Sequence, residues 1–183
     1  MSQNKPAKSY TLAVDEKATP VMVYTLTSLA WGDIITKELV RVKTWLRTNM
    51  APVYLSLYDA RALQIGGAGS ARPWTFSEYH VPTSHAIAFH LLPPAPDLLE
   101  PDPLEPNRKM EPVTALAGLF RFDGFAQLAS MSKLAGYLDV TKETFLPLYD
   151  VEISHPATPS LGVMRIPYVL VRQETAMFAP RPV

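Results

Sequence analysis

Tyr54-Leu55-Ser56-Leu57-Tyr58-Asp59 returns 91 positions later (145 − 54) as Phe145-Leu146-Pro147-Leu148-Tyr149-Asp150, and the rest of the chain is read outward from that recurrence. In the first copy Val53, Leu55 and Leu57 alternate with Tyr54, Ser56 and Tyr58, the period of a strand with one buried face. Upstream, Gly32 and Gly124 lie 92 positions apart (124 − 32). At that offset Arg41-Val42-Lys43-Thr44-Trp45-Leu46 falls on Lys133-Leu134-Ala135-Gly136-Tyr137-Leu138: basic, aliphatic, two small or polar residues, aromatic, Leu. Downstream, Val81-Pro82 has a looser echo in Ile166-Pro167, and Phe89 corresponds to Phe178. Features that keep their order over about seventy residues predict two copies of one β-rich unit.

The predicted organisation is a polar N-terminal tail over 1–20, a first unit over 21–92, a proline-rich strap over 93–111 and a second unit over 112–179. Prolines 93, 94, 96, 101, 103, 106 and 112 lack a donor and fix φ, which argues against helix or inner strand there. Such a segment is extended, close to polyproline II. Leu98, Leu99 and Leu104 within it suit a strap lying on the surface of the units. Gly66, Gly67, Gly69 and Ser70 mark a flexible hairpin tip. Each unit should hold four or five short strands, with a helical turn at the aromatic-Leu position. The expected fold is therefore mainly β: two tandem small β-barrel or sheet units with little helix. A unit of about seventy residues is marginal alone, so the two should bury a shared seam.

The pattern resembles an uncharacterised bacterial family of small β-rich domains of unknown function. The resemblance rests on Gly32, Arg41-Val42, Trp45-Leu46 and Tyr54 to Asp59, and in the second copy on Gly124, Lys133-Leu134, Tyr137-Leu138 and Phe145 to Asp150. It covers about two-thirds of the chain and implies architecture alone, with no site residues. The unit also looks like a small Sm-type barrel, by analogy of fold.

Composition narrows the function classes. Lys+Arg and Asp+Glu number 17 each, so the basic excess of a nucleic-acid binder is missing. No cysteine is present, which removes disulfides, thiolate zinc sites and cysteine nucleophiles. The N-terminus lacks an apolar signal segment and no run reaches membrane-spanning length, so the expected location is cytoplasmic. Charged residues, at 19%, fall below the usual quarter, which favours a surface covered in part by a protein partner or a second copy.

Candidate chemistry is sparse. His80, His85 and His90 sit five apart, and on a strand only His80 and His90 share a face. With Glu78 the closest carboxylate, they do not make the three or four convergent ligands of a metal site. Asp59 and Asp150 could be paired carboxylates, but recurrence in both copies favours a turn-forming role. Ser84-His85 is a bare dipeptide, and no nucleophile elbow or phosphate loop is present. The aromatic and basic residues Trp31, Arg41, Lys43, Trp45, Arg47, Tyr54 and Tyr58 form the most distinctive group, suited to a protein interface before single-stranded nucleic acid. The sequence thus points to a non-enzymatic scaffold or accessory subunit without cofactor. The interface candidates are Trp31, Arg41, Trp45, Arg47, Tyr54, Tyr58, Leu98, Leu99 and Leu104. The alternatives are a nucleic-acid-associated module using the basic and aromatic patch, and a ligand binder or enzyme with its pocket between the units.

Overall fold

The computed structural model describes residues 8–46, 48, 51–65, 72–93, 107–156, 159 and 162–181. The strands are β1 (Glu16–Tyr24), β2 (Ser28–Lys37), β3 (Tyr54–Gln64), β4 (Trp74–Pro82) and β5 (Ala88–Leu91), then β6 (Arg108–Ala117), β7 (Phe120–Ala129), β8 (Phe145–Ser154), β9 (Met164–Arg172) and β10 (Ala176–Pro180). Two short helices, α1 (Val42–Trp45) and α2 (Leu134–Val140), follow β2 and β7. Single 3-10 turns at Thr83–His85 and Gln173–Thr175 precede β5 and β10. No helix among the described residues is long and apolar enough to cross a membrane.

All ten strands join one antiparallel sheet in the order β10-β6-β7-β8-β9-β5-β1-β2-β3-β4. The protein is mainly β, as the alternation predicts, but the sheet is open and the expected barrels do not form. Closing the first five strands would require β5 to pair with β4. Its second edge is taken instead by β9, at Ala88↔Val171 and Phe89↔Leu170.

The central strands are buried on both faces, so they read as unbroken apolar runs. On β1, Val21 and Val23 enter one core while Met22 and Tyr24 enter the other. On β9, Tyr168 and Leu170 go one way and Val169 and Val171 the other. Each core therefore draws on both halves of the sheet. Phe145, Tyr149, Tyr168 and Leu170 complete the cluster built mainly by β1 to β5, and Met22, Tyr24, Leu29, Ile87 and Ala88 join the cluster of β6 to β9. Each of the larger aliphatic or phenyl side chains contributes about 1.5–3 kcal/mol by leaving water. Val42 and Leu46 anchor α1 on one cluster and Leu134 anchors α2 on the other. Neither helix has a side-chain cap, so packing and not propensity holds these short segments.

Two local devices occur in matched places, one in each half of the sheet. β2 and β3 slip register between Trp31 and Asp33, and β7 and β8 slip between Asp123 and Phe125. Opposite each slip stands an aspartate with positive φ, Asp59 at 47° and Asp150 at 48°. These are β-bulges, in which two residues oppose one. The expected turn role is thereby corrected: the strands run on to Gln64 and Ser154, and the left-handed residue only resets the alternation. Asp150→Ala should cost about 1–2 kcal/mol through the left-handed backbone, whereas Asp150→Gly should not. Urea denaturation of the two variants checks this.

Prolines also sit inside strands, against expectation. Pro20 O accepts from Leu92 N–H and Pro112 O from Arg181 N–H, each just beyond the end of a short neighbouring strand. In an antiparallel strand a residue's N–H and C=O face the same side. The missing donor therefore falls at the margin of β5 or β10 and costs one bond at most. β1 begins at Glu16, inside the expected tail, and β6 begins at Arg108, inside the expected strap. The proline-rich core of the strap and the glycine-rich tip lie outside the described residues.

Candidate functional site

A cleft of about 430 Å³ opens beside β2 and β3 and is lined by Tyr10, Trp45, Tyr54 and Tyr58. Its rim is fastened by residues 8–10. Lys8 Nζ stands 2.5 Å from Asp33 Oδ2 and 3.4 Å from Asp59 Oδ2. Tyr10 donates to Asp33 Oδ2 at 2.7 Å, and Ser9 N–H donates to Asp59 Oδ1 at 2.9 Å. The Tyr10 ring meets Tyr58 edge-on, with centroids 5.7 Å apart. The bond to Asp33 raises the Lys8 ammonium above its ordinary range. Burial pushes the Asp59 carboxyl up, but the Ser9 bonds and Lys8 outweigh it and hold the group below its ordinary value. A carboxylate held ionised in this way is a poor proton donor at neutral pH. Asp33 and Asp59 tie the N-terminal segment over the bulge.

The expected aromatic and basic patch is divided. Trp45, Tyr54 and Tyr58 share the cleft, and Arg41 is exposed just ahead of α1. Lys43 is buried, and Trp31 belongs to a separate pocket. Arg47, Leu98, Leu99 and Leu104 lie outside the described residues. Asp150 lines a different depression, with Glu152 and Arg165, so the two aspartates do not share a cleft.

The pocket at Trp31 holds about 250 Å³ and draws on both halves of the sheet: Met22, Tyr24, Trp31, Phe120, His155 and Met164. Beneath it, His90 Nδ1 lies 3.1 Å from Leu91 O, and its Nε2 lies 3.1 Å from Tyr24 Oη. A carbonyl only accepts, so Nδ1 carries the proton and the tyrosine donates to Nε2. His155 is 4% exposed, and neither of its ring nitrogens has a hydrogen-bond partner among the described residues. Its ring meets Phe120 edge-on at 5.5 Å.

Burial lowers His90 to about 4. Between that value and the ordinary 6.5, the unfolded chain binds a proton that the native chain refuses. Stability therefore drops as pH is lowered through this window, by about 3 kcal/mol if His90 acts alone. Urea midpoints from pH 7.5 to 4 should show the slope, and His90→Gln should flatten it.

The remaining histidines are scattered. His80, on β4, pairs with Ser56 Oγ at 3.0 Å and lies 3.7 Å from Glu78 Oε1; His85 is exposed in the 3-10 turn. Among the described residues no group of three or more His, Asp or Glu is placed to hold a metal ion. No family model, curated protein or solved structure matches the chain.

Sequence reasoning missed the residues of the outer strands. Trp74 on β4 is 55% exposed and Met177 on β10 is 69% exposed, with Phe76 also at the surface. Trp74 and Phe76 alternate with Thr75 and Ser77, a pattern that marks an apolar outer face on a strand already legible as one.

Proposed function

We propose that this chain is a non-enzymatic structural subunit that works through protein–protein contacts and is built from two copies of one five-strand unit. The duplication is supported by the recurring strand order, β5-β1-β2-β3-β4 and β10-β6-β7-β8-β9, by the paired bulges at Gly32 and Gly124, and by the paired marginal prolines.

One observation carries the functional reading: both ends of the sheet are open among the described residues, and both carry large exposed apolar side chains. An uncovered strand is a template for association, and isolated chains normally blunt such edges with charge or cover. The direct test is light scattering on the purified chain at tens of micromolar, together with affinity isolation from native lysate. An assembly larger than one chain, or a stoichiometric partner, is expected. A strict monomer with no such partner overturns the reading.

Nucleic-acid association is less well supported, because Lys43 is buried and Lys8 is engaged by two carboxylates. A second reading has an observation of its own. The pocket between the halves is apolar and holds a buried imidazole with both nitrogens unsatisfied, a composition suited to a small aromatic molecule bearing one polar group. Indole or phenol should raise the thermal midpoint of the native chain and not of His155→Phe. No shift with either probe ends that reading.

A further inference from the structure

We infer that β4 of one copy and β10 of a second copy pair antiparallel, in the register that joins β9 to β5 inside the chain. The inference rests on the structural-subunit reading and names its partner as another molecule of the same chain. The internal seam joins the fourth strand of the second set to the fifth strand of the first. What remains at the two ends of the sheet is the fourth strand of the first set and the fifth strand of the second. Each chain thus presents both halves of a joint that it already makes once.

The registers specify the contact. Tyr54 lies opposite Pro82 as Phe145 lies opposite Arg172, which places Val81 with Val171 and His80 with Leu170. This replaces the looser echo of Val81-Pro82 in Ile166-Pro167. Val23 lies opposite Phe89 as Ala115 lies opposite Phe178, which places Met177 with Ala88. The seam pairs Ala88↔Val171 and Phe89↔Leu170, so the joint between copies pairs Met177↔Val81 and Phe178↔His80.

Burial agrees with this correspondence. β5 is buried throughout, as are the last five residues of β9, whereas β10 and most of β4 are exposed or half-exposed. Ala88 is fully buried in the seam, and its counterpart Met177 is 69% exposed.

The joint between copies is also weaker by construction. Arg172 donates its N–H to Ile87 O, and its guanidinium bonds Ala86 O and Thr83 O. Pro82 stands in its place and offers no donor. His80 replaces the buried Leu170. The association is therefore reversible. It is also heterologous, so each added copy leaves one edge of each kind until a ring closes.

The chain has no cysteine, which makes disulfide trapping clean. The Arg172 N–H bonds Ile87 O across the seam, so the next pair, Ala88 and Val171, is of the closer, non-bonded kind, about 4.5 Å between Cα atoms and within disulfide reach. Full-length Val81→Cys and Met177→Cys variants, mixed and mildly oxidised, should give an 81–177 disulfide between chains that neither gives alone. His80→Cys with Phe178→Cys provides a second pair should the first disturb folding. Ala88→Cys/Val171→Cys should close within one chain as the positive control. The double variant His80→Leu/Pro82→Arg, which restores the residues of the internal seam, should tighten association by about tenfold or more. If the control closes but neither mixed pair cross-links, the joint is overturned. In that case an assembly or stoichiometric partner seen by light scattering or isolation leaves the structural-subunit reading standing, whereas a strict monomer without a partner removes both.

Discussion

Phe89→Ala should lower the stability of the entire chain by about 3–5 kcal/mol, the cost of emptying a large aromatic site in a core that relaxes only partly. Phe89 lies on β5 where the two halves of the sheet meet and is 1% exposed. It faces Val23 on one neighbouring strand and Leu170 on the other, and meets the Phe145 ring edge-on at 5.0 Å. The cavity therefore opens in a cluster to which both halves contribute, and neither half can absorb it alone. All three tryptophans, Trp31, Trp45 and Trp74, belong to the first half, so their fluorescence reports that half while far-UV circular dichroism reports the whole sheet. The two urea transitions of Phe89→Ala should coincide and shift together. Separate midpoints, or a loss below about 1 kcal/mol, would mean that the halves are independent and that the seam does not hold them. Phe178→Ala, at the matched but half-exposed position, should cost far less in dilute solution.

This contrast shows where the sequence stops being informative. The period-two pattern at 53–58 located β3, and the aromatic-Leu segments located both helices, because those signals are local. The same pattern suggested that the strand ended at Asp59. Buried Leu55 and Leu57 are followed by buried Ala60 and Ala62, and the odd step between them is the bulge. A frame shift by one residue looks, in sequence, like the loss of alternation. Trp31 is parted from Tyr54 and Tyr58 by distance along the sheet: Asp33, on the same side of β2 as Trp31, pairs with Tyr58, yet Trp31 opens into a different pocket. Phe89 and Phe178 occupy matched positions in the two sets of strands, yet one is core and the other edge. Only the non-local pairing of β5 with β9 separates them, and no window along the chain contains it. The exposed Trp74 and Met177 were hidden for the same reason: a strand becomes an edge through what fails to pair with it.

The second large effect tests the bulges themselves. Gly124→Val should destabilise the chain by about 3 kcal/mol, at the upper end of ordinary overpacking, or prevent folding. A Cβ at Gly124 would stand 2.9 Å from the Tyr149 carbonyl oxygen and 2.9 Å from Val151 Cγ2. At Gly32 the corresponding Cβ would stand 2.8 Å from the Tyr58 carbonyl oxygen. In both places the obstacle is the backbone of the bulged strand just before its positive-φ aspartate, which cannot swing aside as a side-chain tip would. The glycine and the aspartate are thus two halves of one device: the left-handed residue turns a carbonyl across the partner strand, and only hydrogen fits beneath it. Flattening the bulge with Asp150→Ala should then partly relieve Gly124→Val, so that the double variant loses less than the sum of the singles. Additive losses would show that glycine is required for some reason other than the carbonyl above it. Because Gly32 meets the same obstacle, Gly32→Val should reproduce both the size of the loss and its partial relief by Asp59→Ala, although there the bonds to Lys8 and Ser9 are lost as well.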